Sequence, residues 1–216
     1  MAAPKIFVGI ASARDWKLGF STSMVHLTAH LCGLVYAKKL DNFAVRCQPA
    51  SLLSISRDML LQAAIDEGFT HILWIDDDTK FSSEAFDSML SRDVDYVAMN
   101  FCKRTLPLTF CAHELGTLSP IDSGKRTGLE EVYQVGLGMA LIKLDCLRDI
   151  PKPRFEVKWN ELAGQYIGED LYFCHLLKSK GVKLYVDHYA SVLASHIGDY
   201  EYTFVQQVKV EEKEAA

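Results

Sequence analysis

HILWIDDDT, residues 71–79, runs from an apolar stretch straight into three consecutive aspartates, Asp76, Asp77 and Asp78. Five largely apolar residues bounded by polar ones fit a strand buried on both faces, the kind found in parallel sheets. The aspartates then stand at or just beyond its carboxyl end, where open α/β sheets form their ligand crevices. Upstream, the run from Lys5 to Ser12 ends in small residues and reads as a first strand, and Asn42 to Cys47 reads as a second. Between them the spacing of Val25, Leu27, Leu31, Leu34 and Val35 predicts a helix from about Ser23 to Lys39, with Lys38 and Lys39 favouring its last turn. A second helix is predicted over Ser54 to Glu67, with Ile55, Met59, Leu60, Ala63 and Ala64 inward and Gly68 as its stop signal. Downstream, Ser82 or Ser83 caps a short helix to Leu90, and VDYVAM supplies a fourth strand.

Past Asn100 the alternation weakens. Strands are expected near Leu108 to His113 and over Glu131 to Leu144, separated by the breaker-rich residues 114–128, which read as a mobile loop. A helix from about Glu169 to Lys180, stopped by Gly181, leads into the strand VKLYV, and the final VEEKEAA reads as a frayed tail. The expectation is one α/β domain over residues 1–205, with a mostly parallel central sheet, helices on both faces, and 206–216 as a flexible tail.

The 216 residues suffice for one substantial core, and a formal charge of -5 gives no global attraction to phosphate backbones. The six cysteines form no CxxC pair and read as core packing in a reducing compartment, hence a cytoplasmic protein. His26, Thr28, His30 and Cys32 interrupt the best apolar run, so no membrane span is expected. No GxSxG, GxxxxGKS or GxGxxG motif occurs, which removes serine hydrolysis, P-loop hydrolysis and hydride transfer.

Three adjacent carboxylates repel one another unless something cationic stands among them, and a divalent metal is the simplest resolution. In an extended segment Asp76 and Asp78 share one side and offer hard oxygen ligands to Mg²⁺ or Mn²⁺. The alternative is an acidic turn in which Asp78 or Thr79 caps the following helix.

The order of parts resembles the GT-A glycosyltransferases, especially short family 2-like enzymes of bacterial and phage type. The matching parts are the small-residue end of strand one, SISRD, WIDDDTKF, VAMNFCKR, VGLGMALI, GEDLYFCHLLKSKG and SHIGDY, spanning about Lys5 to Tyr202. The resemblance implies a Rossmann-like GT-A domain with a donor half (about 5–100) and an acceptor half (about 101–205). It implies that Asp76 and Asp78 hold a metal bridging the diphosphate of a nucleotide-sugar, with UDP-linked donors favoured. His196 is implied as a further metal ligand, which tilts the choice toward Mn²⁺. It also marks Asp170, with Glu169 beside it, as the base that deprotonates an acceptor hydroxyl.

Donor contacts are expected from Ser12, Arg14, Arg57, Asp76, Asp77, Lys103 and Arg104. Each cation also has a plain reading as a local ion pair, and Asp58 stands after Arg57 where relatives often carry Asn. Gly136 and Gly138 allow close approach by a sugar or simply accommodate a strand bend. Trp159 and Phe155 read as acceptor-stacking rings or core anchors. The acceptor is a saccharide or a hydroxylated DNA base; Lys125 and Arg126 add to a small cationic patch. The rival readings are a nucleotidyltransferase, for which GIASARDWK is a poor phosphate loop, and a non-catalytic sugar- or nucleotide-binding module.

Overall fold

A computed structural model of the protein describes residues 2–12, 15–49, 51–161, 164–198 and 201–204. The chain begins with β1 (Lys5–Ser12), α1 (Leu18–Tyr36), β2 (Asn42–Pro49), α2 (Leu53–Asp66) and β3 (His71–Ile75). It continues through β4 (Thr79–Phe81), α3 (Ser83–Ser91), β5 (Tyr96–Ala98), β6 (His113–Glu114), β7 (Leu129–Gln134) and β8 (Met139–Lys143). The last third holds β9 (Lys158–Asn160), β10 (Gln165–Ile167), α4 (Glu169–Ser179), β11 (Leu184–Asp187), α5 (His188–Val192), β12 (Ala194–Ile197) and β13 (Glu201–Tyr202).

Eight strands form the main sheet in the order β2-β1-β3-β8-β5-β11-β7-β6. Alternation along β1 sends Phe7 and Ala11 to one face and Ile6, Val8 and Ile10 to the other. The first face packs Leu60, Leu61 and Ala64 of α2 and Phe173, Cys174 and Leu177 of α4. The second packs Phe20, Met24, Leu27 and Leu31 of α1 with Ala85, Phe86 and Met89 of α3. Helices therefore cover both faces, as the sequence led us to expect.

The sheet is more mixed than expected. The pairs β1–β2, β1–β3 and β5–β11 are parallel, while β8 runs antiparallel to both β3 and β5, and β7 antiparallel to β11 and β6. The segment read as one strand over Glu131 to Leu144 is in fact β7 and β8, which occupy separate places in the sheet, with residues 135–138 carrying the chain between them. β8 is buried from Met139 to Ile142, whereas β7 buries only Val132, so the two differ in setting although the chain joins them closely. The strand expected at Leu108 to His113 reduces to an isolated bridge, Cys102 to Phe110, and the short β6. Within residues 114–128, Ile121 and Ser123 are held by buried bonds: the Asn100 amide donates to the Ile121 carbonyl at 2.6 Å and to Ser123 Oγ at 3.1 Å. The exposed part of the expected loop is confined to residues 115–120 and the stretch just after Ser123.

Other departures are local. α1 begins five residues earlier than expected, since Leu18 and Phe20 extend its apolar pattern, and it ends at Tyr36. Lys38 adopts φ 57° beyond the helix, so the two lysines do not sit in its last turn. By length and composition α1 could also cross a bilayer, contrary to the reading of its interruptions, but here Phe20, Met24, Leu27 and Leu31 pack it onto the sheet. α2 is rotated relative to expectation: Ile55 and Met59 are exposed, whereas Ser56 and Arg57 are buried. α3 is capped by Ser82, whose side chain accepts from the Glu84 amide, as anticipated. Of the cysteines, Cys102 and Cys174 are buried while Cys32 and Cys47 are exposed, so core packing does not account for all six.

Candidate functional site

β1 sits between β2 and β3: the chain passes from β1 through α1 to β2 on one side and then through α2 to β3 on the other, so the crevice beyond the carboxyl ends of β1 and β3 lies where the strand order reverses. A cavity of about 460 Å³ opens there. Ala11 of β1, Ser51 and Leu53 at the start of α2, the three aspartates, Arg104 and His196 of β12 line it.

The triplet forms a turn instead of continuing the strand: the Thr79 amide and hydroxyl both donate to the Asp76 carbonyl, at 3.3 and 2.9 Å. The turn directs each carboxylate to a different partner. Along β3, Ile72 and Trp74 face α2 and α4, and Asp76 continues that parity to meet Arg57. Asp77 accepts from the Ser12 hydroxyl at 2.5 Å. Asp78 lies 2.9 Å from the Arg104 guanidinium and 3.4 Å from His196 Nε2. The helix-cap alternative fails, because β4 follows the turn and Ser82 caps α3.

Arg57 is 3% exposed and reaches Asp76 Oδ1 at 2.7 Å and Glu169 Oε1 at 2.8 Å. Burial works against its charge, but Asp76, Glu169 and Asp170 outweigh it and hold its pKa above the ordinary value. The local ion pair considered for Arg57 does not form. Asp58 turns away to Arg154 at 2.6 Å and Lys152 at 3.3 Å.

Burial likewise raises the Asp76 and Asp170 carboxyls above the usual carboxylate range, with Arg57 opposing the shift in both. Asp170, in the first turn of α4, accepts from the Leu171 amide at 2.8 Å. Its carboxylate folds back over Gly168, where a Cβ would fall 2.8 Å from Oδ1, and lies against Gly136, whose Cβ would fall 3.5 Å from Oδ2. Gly168 makes room for the carboxylate, a role that the sequence pattern alone did not reveal, while Gly136 is an ordinary van der Waals neighbour.

His196 Nδ1 must donate to the Cys102 carbonyl, 3.0 Å away. A neutral ring then carries its lone pair on Nε2, aimed toward Asp78. The carbonyl that fixes this tautomer has no sequence signature. Among the described residues no group of three or more His, Cys, Asp or Glu side chains forms a ready metal cage. Part of the aspartates' mutual repulsion, read from sequence as calling for a metal, is offset here by Arg57 beside Asp76 and Arg104 beside Asp78, while Asp77 accepts from Ser12.

Of the other expected contacts, Arg14 lies outside the described residues. Lys103 does not line the cavity; its backbone amide bonds Thr109, and its charge joins burial in lowering the His113 pKa. Phe155 is a core anchor, stacked on Phe173 at 4.5 Å, whereas Trp159 is 44% exposed and meets Tyr166 edge-on across the β9–β10 hairpin. Arg126 is engaged by Glu114 and Glu130, which removes it from a phosphate-facing patch.

No protein-family model and no curated protein matches this chain. Among solved structures it is similar to the crystal structure of A197 from STIV, with a TM-score of 0.58 and 18% identity. That alignment covers 91% of this chain and 86% of the other. At this identity the likeness is one of fold: a single Rossmann-like α/β domain with a partly antiparallel sheet.

Proposed function

We propose that this chain is a GT-A type glycosyltransferase that moves a sugar from a nucleotide-sugar donor to a hydroxyl of a saccharide or a modified DNA base. The observation that carries the reading is the pairing of Asp78 with a tautomer-fixed His196 in a cavity at the strand-order reversal. A carboxylate oxygen facing an imidazole lone pair is a donor set suited to a divalent cation, and the imidazole favours Mn²⁺ over Mg²⁺.

Asp78, His196 and Asp76 are the residues that would hold the cation, which when bound offsets the charge developing on the leaving nucleoside diphosphate. Ser12 fixes Asp77 at the cavity rim. Arg104, 41% exposed and beside Asp78, is placed to meet diphosphate oxygens. Asp170 is the proposed base. As the acceptor oxygen bonds to the anomeric carbon and the bond to the diphosphate breaks, its carboxylate takes the hydroxyl proton. Its raised pKa makes it a better proton acceptor than an ordinary aspartate. The proposed setting is the cytoplasm, with a UDP-linked donor first in order of expectation.

Thermal unfolding with UDP, UDP-glucose, GDP-mannose and dTDP-sugars, each with Mn²⁺, Mg²⁺ or EDTA, tests this. A donor at a hundred times its Kd stabilises by about 2.7 kcal/mol, and the shift must vanish with EDTA. No shift with any donor removes the transferase reading; a shift with nucleoside triphosphates alone replaces it with nucleotidyl transfer.

A further inference from the structure

Beyond β5 the chain folds back on itself in a short antiparallel ladder. The Cys111 amide donates to the Phe101 carbonyl at 3.0 Å, the Lys103 amide donates to the Thr109 carbonyl at 2.7 Å, and Cys102 bridges Phe110 between them. Alternation divides the side chains. Cys102 and Phe110 pack with Tyr202 and Phe204 on one face, which leaves Lys103, Thr109 and Cys111 to share the other. That second face belongs to the proposed base. A Cβ at Gly136 would stand 3.6 Å from the Cys111 side chain and 3.5 Å from Asp170 Oδ2, so the thiol and the carboxylate converge on one point.

Lys103 is partly buried, and among the described residues its ammonium has no carboxylate partner. The acids around it are already matched: Arg57 holds Asp76 and Glu169, Arg104 holds Asp78, and Arg126 holds Glu114. The Lys103 charge nonetheless reaches the same thiol as the base. Burial pushes Cys111 up to about 12, with Lys103 pulling against the shift and Asp170 adding to it. Lys103 also joins burial in lowering the His113 pKa, so that ring stays neutral beside it and adds no second cation. An ammonium without a counter-charge, on the face that carries the proposed base, is suited to an anion brought by the ligand.

We propose that Lys103 selects the acceptor: the hydroxyl whose proton goes to Asp170 belongs to a sugar that also bears a phosphate or a carboxylate, and Lys103 pairs with that group. This rests on the transferase reading above. One cation matches one anionic group. A DNA duplex presents a charge about every 1.7 Å and is gripped through several cations at once. The chain does not offer them here, since Arg126 is engaged by Glu114 and Glu130 and the whole protein carries -5.

Calorimetric titration of the full chain with glucose 6-phosphate, glucuronate and glucose, at low and high salt, tests the proposal without turnover. At least one anionic sugar should bind about tenfold or more tightly than glucose, and the tighter of the two names the group. The advantage should shrink with salt. Lys103→Met should abolish it and Lys103→Arg keep most of it, while Lys39→Met, at an exposed position past the distant end of α1, should leave it unchanged. Equal affinity for the three sugars overturns the proposal, as does undetectable binding of both anionic ones or a preference that survives Lys103→Met. None of those results touches donor binding, whereas a missing donor-dependent thermal shift removes the transferase reading without erasing a preference for anions. A DNA duplex bound more tightly than either anionic sugar, and lost in Lys103→Met, would overturn the sugar in favour of nucleic acid.

Discussion

Arg57 and Asp76 meet at 2.7 Å, across 19 residues of chain, and the other arm of the same guanidinium holds Glu169 at 2.8 Å. One buried side chain thereby ties the aspartate turn after β3 to the first turn of α4. A planar fork can serve two carboxylates at once, which an ammonium cannot do in the same geometry. Removing it leaves two acids without their shared cation. We expect Arg57→Met to lose about 3–5 kcal/mol in urea unfolding, the usual cost of breaking a buried ion pair from one side. Arg57→Met combined with Asp76→Asn should lose less than the sum of the single variants, by about 0.5–3 kcal/mol. Strict additivity would show that the pair is not coupled.

How this hub escaped the sequence is instructive. The apolar spacing of α2 put Ile55 and Met59 inward, and a helix wheel built on hydrophobicity has no reason to bury an arginine. Its burial depends on Asp76 and Glu169, residues 19 and 112 positions away, whose approach only the sheet order creates. The first half of the fold was legible because each strand and helix carries its own periodicity. The second half was not, because β7 and β8 follow one another closely in the chain yet go to separate places in the sheet, and β4, β12 and β13 are too short to register. Asp76, Asp78 and His196, picked out by their order along the chain, line one cavity, and Asp170 does not line it. The Cys102 carbonyl and the close approach of Asp170 to Gly168 left no trace in the sequence, since backbone contacts and empty space leave no pattern.

Asp78 has two nitrogen neighbours of different kinds, and they predict opposite effects on cation binding. His196, with Nδ1 tied to Cys102, presents a lone pair, so His196→Ala should weaken Mn²⁺ binding measured by calorimetry by about tenfold or more. Arg104 occupies Asp78 Oδ2 and competes with a metal for it. Arg104→Gln should therefore bind Mn²⁺ more tightly than the unaltered protein, while its affinity for UDP falls. Weaker Mn²⁺ binding in Arg104→Gln would remove the competition argument.

Gly136 and Gly138 flank one residue but meet different surroundings. A Cβ at Gly138 would fall 2.8 Å from the ring of Phe101, which is 4% exposed, and the Gly138 carbonyl accepts from the Asp76 amide at 2.9 Å. Gly138→Ala should cost about 1–3 kcal/mol through overpacking and disturb the aspartate turn with it. At Gly136 the Cβ would meet only ordinary contacts, the nearest being Asp170 Oδ2 at 3.5 Å. Gly136→Ala should unfold at nearly the same urea concentration as the unaltered protein. Equal losses from both substitutions would contradict this division.

The same burial that fits Asp170 to take a proton should make it costly for the fold. Its pKa is raised above that of the unfolded chain, first by burial and then by Glu169, against the opposing pull of Arg57. The stability associated with its protonated form is complete below the unfolded value of about 3.9 and is lost as pH rises through the folded pKa. At neutral pH the protein therefore carries a buried charge that Asp170→Asn does not. We expect Asp170→Asn to raise the melting temperature at pH 7, with the gain shrinking to nothing toward pH 3. The acid limb of kcat/KM should lie above the range of an ordinary aspartate for the same reason, and turnover in Asp170→Asn should fall by about 10²–10⁴. A variant that is both more stable at pH 7 and nearly inactive is the signature of a group kept for chemistry; one that is less stable at pH 7 and still active would assign Asp170 to the architecture of α4 instead.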